Sequence, residues 1–185
     1  MPLETERLRL EPYAPQHAQE ILDYYSRNRP HLDPWEPARA ASFYTLDYQR
    51  NECEQAEAAN RRGEFVRFAA FAKDGGALVA LVNLWNIRRG VIHSATIGYS
   101  VDAAHEGRGY ATEAAGAAVD HGSGALNLHR VETSYHPTNE RSGRVLRKLG
   151  FTVEGYARDY LYMRGAWRDA ILVSRTNPAW VPSPV

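Results

Sequence analysis

The chain has 185 residues, 44% of them hydrophobic, enough for one well-buried domain and short for two. Its 22 Lys and Arg balance 22 Asp and Glu, so no overall basic field draws it to nucleic acid, and its single cysteine, Cys53, excludes an internal disulfide and a paired-Cys zinc site. The first residues lack the basic start and apolar core of a signal peptide, and no apolar run approaches the roughly 20 residues of a membrane span, so a cytoplasmic protein with no membrane contact is expected.

Taken in order, Leu8, Leu10 and Pro12 alternate with Arg9, Glu11 and Tyr13, which predicts a first strand ending between Pro12 and Ala14. Residues 16–26 read as a helix with Ala18, Ile21, Leu22 and Tyr25 on one face. Pro30, Pro34 and Pro37 make residues 29–37 a loop. A longer helix is expected at 42–62: Ser42 caps it, Phe43, Leu46, Arg50 and Cys53 keep rough register, and Gly63 stops it. Strands follow at 64–72 and 77–87, joined by the Asp74-Gly75-Gly76 turn. Arg88-Arg89-Gly90 then turns into a third strand at 91–101. The Ala-rich stretch 110–121 is helical and ends in the glycines of 121–124; a strand returns at 128–135 and Pro137 halts it. Asn139 caps a helix carrying Val145, Leu146 and Leu149 on one face, with Gly150 at its C-terminal cap. Residues 152–163 and 166–175 close the domain as a hairpin through Arg164-Gly165.

Residues 1–176 therefore read as a single domain, and the Pro-rich tail 177–185 as extended and poorly ordered. The order β-α-α-β-β-β-α-β-α-β-β predicts an α/β fold: a mixed, mostly antiparallel sheet of about seven strands with helices on both faces.

The chemistry concentrates between strand 91–101 and helix 110–121, in Glu106-Gly-Arg-Gly-Tyr-Ala111. Gly107 and Gly109 permit positive φ and close backbone approach to an anion. The free N–H groups and dipole of the following helix then face the negative charge. Glu106, Gly107, Arg108, Gly109, Tyr110, Ala111 and Thr112 thus form a candidate diphosphate cradle. A Rossmann fingerprint would need a glycine where Thr112 stands, and no Gly-Lys-Ser/Thr of a P-loop occurs. The segment resembles the pyrophosphate loop of the GNAT family of N-acetyltransferases, usually Gln/Arg-x-x-Gly-x-Gly/Ala, which hold acetyl-coenzyme A. Glu106 departs from the first position of that pattern, which alters one side-chain contact and leaves the backbone cradle intact.

Further segments narrow the resemblance to the RimJ and RimL type of ribosomal-protein alanine N-acetyltransferases. Residues 28–37, Asn-Arg-Pro-His-Leu-Asp-Pro-Trp-Glu-Pro, are similar to that group's loop after the first helix. Asn139-x-x-Ser142 with Leu146-Arg-Lys-Leu-Gly-Phe151 resembles its second cofactor motif, and residues 154–160 the strand after it. Trp167-Arg-Asp169, running into Asn177-Pro-Ala-Trp180, looks like the family's end, and Arg89-Gly90 through His93 to Ile97-Gly-Tyr-Ser100 resembles RimJ more than RimL. The likeness spans about residues 3–182. It implies acetylation of the N-terminal alanine of a ribosomal protein, S5-like, with that protein and by extension the ribosome as partner, by a monomer or homodimer.

Acetyl transfer to an amine needs a neutral nucleophile, a donor at the carbonyl oxygen and a donor for the leaving thiolate. Gly98 and Pro137 are expected to disturb pairing, so that the strands ending near Val101 and Tyr135 splay. Tyr99, Ser100 and Val101 would then bond the pantetheine arm as an extra strand does. Many members of the superfamily carry a tyrosine acid where Leu146 stands here; Ser142, one turn beyond Asn139, is the thiolate donor instead, and Asn139 both caps the helix and touches the cosubstrate. The base is open among Glu36, Glu132, Asp159, His93, His136 and a water chain, since a peptide α-amine titrates near 7.7–8.0. Glu36, fixed in Pro-Trp-Glu-Pro, is favoured as the amine contact, with Trp35, Tyr135 and Tyr160 lining the acceptor groove. Seven scattered histidines with no His-x-x-x-His predict no metal site, and no Gly-x-Ser-x-Gly elbow occurs. Two other readings stand beside this one: transfer to a small amine such as an antibiotic, polyamine or amino acid, in a closed pocket, or a coenzyme-binding regulatory module without turnover.

Overall fold

A computed structural model describes residues 1–182. The strands are β1 (Leu3–Glu4), β2 (Leu8–Pro12), β3 (Val66–Ala72), β4 (Leu78–Arg88), β5 (Ser94–Val101), β6 (Arg130–Tyr135), β7 (Thr152–Met163) and β8 (Ala166–Thr176). The helices are α1 (Ala18–Leu32), α2 (Leu46–Arg62), α3 (Tyr110–Ser123) and α4 (Glu140–Lys148). All eight strands join one sheet in the order β1-β2-β3-β4-β5-β6-β8-β7. The expected element order holds; the addition is β1, whose two residues are too short to leave a periodic signal.

β3 is apolar along nearly its whole length because both its faces are covered. On one face Leu8, Phe68, Val82 and Ile97 pack against Ala114, Ala115, Ala118 and Val119 of α3 and Leu146 of α4. Ala69, Phe71 and Leu81 face the other way, against Ile21 and Tyr24 of α1 and Cys53 and Ala56 of α2. The charged helix α2 still docks because Gln49, Cys53, Ala56 and Ala59 recur on one stripe and are buried. No helix among the described residues is long and apolar enough to cross a membrane.

Three boundaries differ from the sequence reading. α1 runs on through Pro30 to Leu32 rather than ending at Ser26. An interior proline costs roughly 3 kcal/mol, and here the turn is held by Asn28, 1% exposed, whose Nδ2 donates to Tyr24 O and to Asp102 Oδ2. α2 begins at Leu46, capped by Thr45, whose Oγ1 accepts from Tyr48 N; Ser42 belongs to a preceding single 3-10 turn. The third central strand starts at Ser94, with Val91 fully exposed in the turn before it.

The tail also departs from expectation. Asn177 N donates to His129 O at 2.7 Å, Trp180 Nε1 donates to Asn127 O at 3.2 Å, and the Trp180 ring lies 4.9 Å from that of His93. Residues 177–180 therefore lie against the body; residues 183–185 of the expected tail fall outside the described residues.

What positions the site is the one parallel pair. β5 and β6 are joined by a crossover through α3, as parallel strands require, and they pair only at Ser94↔Arg130, Ala95↔Val131 and Thr96↔Glu132. Beyond Thr96, β5 stays with β4 up to Ala80↔Val101, while β6 stays with β8 up to Tyr135↔Ile171. The expected splay is present. Its expected cause needs correction, because Gly98 remains in register opposite Asn83. Gly98 is small for another reason: a Cβ there would stand 2.7 Å from Cζ3 of Trp85.

Candidate active site

A cavity of about 900 Å3 opens at the splayed ends of β5 and β6. Trp35, Glu36, Tyr99, Ser100, Val101, Glu106, Ala111, Tyr135, His136, Asn139 and Ser142 all line it, so most of the residues singled out from sequence converge. The first turn of α4 straddles the gap. Asn139 Oδ1 accepts from Ser142 N at 3.1 Å, capping the helix. From β5, the Tyr99 hydroxyl lies 3.0 Å from Ser142 Oγ and donates to Ser142 O at 3.2 Å. From β6, the Tyr135 ring lies against Gly143, where a Cβ would stand 3.0 Å from it. Burial, opposed by the Ser142 hydrogen bond, pushes the Tyr99 phenol up to about 12. It stays a neutral donor at any physiological pH.

At one end of the cavity lies the glycine loop. Gly107 and Gly109 adopt φ of 73° and 83°, and Gly109 is the residue before α3. The first intrahelical bond runs from Glu113 N to Gly109 O at 3.0 Å, so the amides of Tyr110, Ala111 and Thr112 have no partner within the helix. Arg7 fastens the loop. Its guanidinium donates to Arg108 O at 2.8 Å and to Glu113 Oε2 at 2.7 Å, and lies 4.7 Å from the Tyr110 ring centre. An acid at Glu106 would repel an incoming phosphate, but Arg141 of α4 pairs with it at 2.5 Å.

The strand preceding the loop is anchored from beneath. Asp102, 2% exposed, accepts from Arg27 Nε at 2.6 Å, Asn28 Nδ2 at 3.0 Å and Ala104 N at 2.9 Å. Burial alone would raise its carboxyl; the donors from Asn28, Arg27 and Ala104 outweigh that and hold it below the usual aspartate range. Asn28 Oδ1 accepts from Ala103 N at 2.8 Å, and Tyr24 bonds Ser100 Oγ at 2.9 Å. One helix, α1, thus holds both the loop bearing Glu36 and the strand end bearing Ser100. These anchors were missed from sequence, because a lone Asn or Asp in a helix or turn carries no signal of a partner far along the chain.

The candidate bases separate. Glu36 lines the cavity and accepts both Arg39 bonds, at 3.1 and 2.7 Å, on Oε2. Arg39 in turn stacks 4.0 Å from the Phe43 ring centre. His136 also lines the cavity, its Nδ1 2.8 Å from Thr138 Oγ1. Glu132, weighed as a base, is instead gripped by Arg88 and Arg130 outside the cavity lining. His93 stacks on Trp180 in a turn, away from the lining. Asp159 and Tyr160 are displaced by a bulge in β7. The register shifts between Ala157 and Leu161, with Asp159 at φ 48° and its N–H donating to Asp169 Oδ1 at 3.0 Å. Beside this bulge Leu161 lines the cavity, and Tyr160, expected there, is 49% exposed outside it. Among the described residues, no group of three or more His, Cys, Asp or Glu could hold a metal ion.

Residues 7–152 match the family model described as acetyltransferase (GNAT) domain. The chain is 35% identical over 180 residues to the ribosomal protein uS5-alanine N-acetyltransferase of Escherichia coli, covering 97% of this chain and 93% of that one. It is similar in structure to the ribosomal-protein-S5-alanine acetyltransferase of Vibrio fischeri, with TM-score 0.94, 35% identity and coverage of 98% and 100%. Mycobacterium smegmatis RimJ in complex with CoA-disulfide matches with TM-score 0.86, 31% identity and coverage of 95% and 86%.

Proposed function

The chain belongs to the GNAT family of acetyltransferases, and from that premise we propose that it acetylates the N-terminal alanine amine of an S5-like ribosomal protein, using acetyl-coenzyme A, by direct attack in a ternary complex. One observation carries the reading: Glu106 and Ala111, which flank the glycines of the loop, line the same cavity as the splayed strand edge and the Tyr99–Ser142 pair. The choice of acceptor is supported by the relatives' names and by nothing in the cavity alone. Residues 1–176 are read as one catalytic domain with 177–185 appended, and a ribosomal acceptor would make the enzyme cytoplasmic.

The chain's residues fit the cosubstrate. Gly107 and Gly109 in left-handed conformation, followed by the three amides with no intrahelical partner, suit a diphosphate. The edges of Tyr99, Ser100 and Val101 that face the gap suit a pantetheine amide chain. When bound, acetyl-coenzyme A supplies an acetyl group already activated as a thioester.

Each side chain then has a task. With the Tyr99 proton on Ser142 O, the Ser142 hydroxyl donates to the Tyr99 oxygen at rest and turns that proton to the departing sulfur, and Asn139 fixes the turn that aims it. Trp35 and Tyr135 wall the acceptor path. Glu36 keeps Oε1 clear of Arg39 and can accept a proton or hydrogen bond from the amine. Because an α-amine titrates near 7.7–8.0, an appreciable fraction is already neutral and demands little of a base. Alignment of the two reactants can contribute on the order of 7–11 kcal/mol to lowering the barrier.

Thiol release with a panel of N-terminal peptides and small amines tests this. Turnover on an Ala-starting peptide is expected. Turnover on polyamines or amino acids alone would refute the acceptor, and coenzyme binding without any release would refute catalysis.

A further inference from the structure

His136 follows the last residue of β6 and lines the cavity. Pro137 after it favours an extended backbone at His136. Asn139 N donates to His136 O at 2.8 Å, which ties the residue into the cap of α4. Within the same turn, the Thr138 N–H donates to Nδ1 of the imidazole at 3.2 Å. The ring centre lies 6.4 Å from that of Trp35, which walls the acceptor path.

Those contacts decide which ring nitrogen carries the proton. A backbone N–H is always a donor, so the Nδ1 it reaches must be the acceptor, and the neutral ring holds its one proton on Nε2. Thr138 Oγ1, 2.8 Å from the same Nδ1, does not oppose this, because a hydroxyl donates as readily as it accepts. Nε2 meets no partner among the described residues and keeps accessible surface, unlike the buried, unpartnered nitrogens of His93 and His105. Nor does Asp169, an acid in the same lining, claim it. The Asp169 oxygens accept from the Tyr156 hydroxyl and from Asp159 N.

We propose that His136 is a specificity-determining residue for peptide acceptors, its Nε2–H donating to the carbonyl oxygen of the acceptor's first residue. A peptide's terminal amine is followed by one carbon and then a carbonyl; a polyamine or a lysine side chain has only methylenes at that place. A donor fixed in the acceptor wall therefore favours the α-amine of a peptide over an amine that lacks the carbonyl. Holding the carbonyl also restricts rotation of the first residue, which keeps the amine nitrogen aimed at the thioester. In this tautomer the ring offers the cavity no lone pair, so His136, weighed as a base, acts as a donor instead. The N–H stays a donor when the ring is protonated, and the role does not depend on the ring's charge. The inference rests on the peptide-acceptor reading above and assigns that recognition to one residue.

The test measures acetylation of an Ala-starting peptide and of the same peptide with an alkene in place of its first peptide bond, which keeps the shape and removes the carbonyl. Rates are referred to the concentration of neutral amine. Wild type should lose about tenfold in acceptor kcat/KM on the alkene peptide, the size of one hydrogen bond at a partly exposed site. His136→Phe should lose about tenfold on the natural peptide, show no further loss on the alkene peptide, and keep its KM for acetyl-coenzyme A within about twofold. His136→Gln, whose side-chain amide supplies an N–H at similar reach, should recover to within about threefold of wild type. No turnover of the Ala-starting peptide by wild type would overturn the acceptor reading and this inference together. Turnover by wild type with an unchanged His136→Phe, with losses that add, or with His136→Gln as poor as His136→Phe would overturn the inference alone.

Discussion

The hydroxyl pair of Tyr99 and Ser142 allows a quantitative test of the leaving-group assignment. If Ser142 protonates or hydrogen-bonds the departing thiolate, Ser142→Ala removes a general acid, which typically costs 10²–10⁴-fold. A thiol pKa near 8.5 makes the thiolate a tolerable leaving group, so the loss should fall at the low end, about 10²-fold in kcat. Tyr99→Phe removes two neutral hydrogen bonds, of 3.0 Å with Ser142 Oγ and 3.2 Å to Ser142 O, of which the first bears on the serine hydroxyl. Such a bond is worth about 0.5–1.5 kcal/mol, or roughly two- to tenfold. Since Tyr99 acts only through Ser142, the double variant should be no slower than Ser142→Ala alone, and the coupling energy should equal the whole Tyr99 effect. Steady-state thiol release at saturation of both substrates reads all four proteins. With the phenol held at about 12, no Tyr99 ionisation should appear in the wild-type profile below pH 10. Additive losses would separate the two hydroxyls, and an unchanged kcat in Ser142→Ala would remove the serine from the mechanism.

Asp102→Ala strands the donors of buried Asn28 and part-buried Ala104 and frees half-exposed Arg27, and should destabilise by about 1–3 kcal/mol in urea titration; a loss under about 0.5 kcal/mol, on the order of an ordinary surface substitution, would contradict the anchoring role. Because the folded carboxyl titrates below its unfolded value, its contribution is complete above the ordinary aspartate range near 3.9 and is lost as pH falls through the folded value. Asp102→Asn should accordingly show a flatter acid limb of stability than wild type. Gly98→Ala brings a Cβ to 2.7 Å from Trp85, and the forced shift of the indole should cost about 1–3 kcal/mol; an unaltered Tm would mean the floor yields freely. Arg141→Ala leaves Glu106 beside the glycine loop with only His31, at 3.5 Å, against it, so calorimetry should find coenzyme A bound about tenfold more weakly, with affinity restored in the Glu106→Ala, Arg141→Ala double variant. Weakening that persists in the double variant would mean that Arg141 contacts the ligand itself.

Much of the fold was legible because it is written in short periods. The two-residue alternation of β2, the Ala-rich face of α3 and the glycines of the loop act within a few neighbouring residues, and each element appeared where those signals lay. The convergence of the loop, Asn139 and Ser142 on one cavity likewise followed from local motifs joined by a familiar topology. What failed was local reasoning about residues whose state is set by a distant partner. Pro30 reads as a helix breaker until Asn28 is seen bonded to Asp102, 74 residues away. Glu132 looks like a free base until Arg88 arrives from the end of β4, 44 residues earlier.

Tyr160 stays outside the cavity while its neighbour Leu161 lines it, beside a bulge in β7 that no local pattern announces. The chain by itself determined which segments fold into helices and strands and which loop can cradle an anion, because φ preferences and burial periodicity are properties of adjacent residues. Only the tertiary structure decided which charges are spent on one another and which side chains remain to meet a substrate, because those pairings depend on contacts between residues remote in sequence.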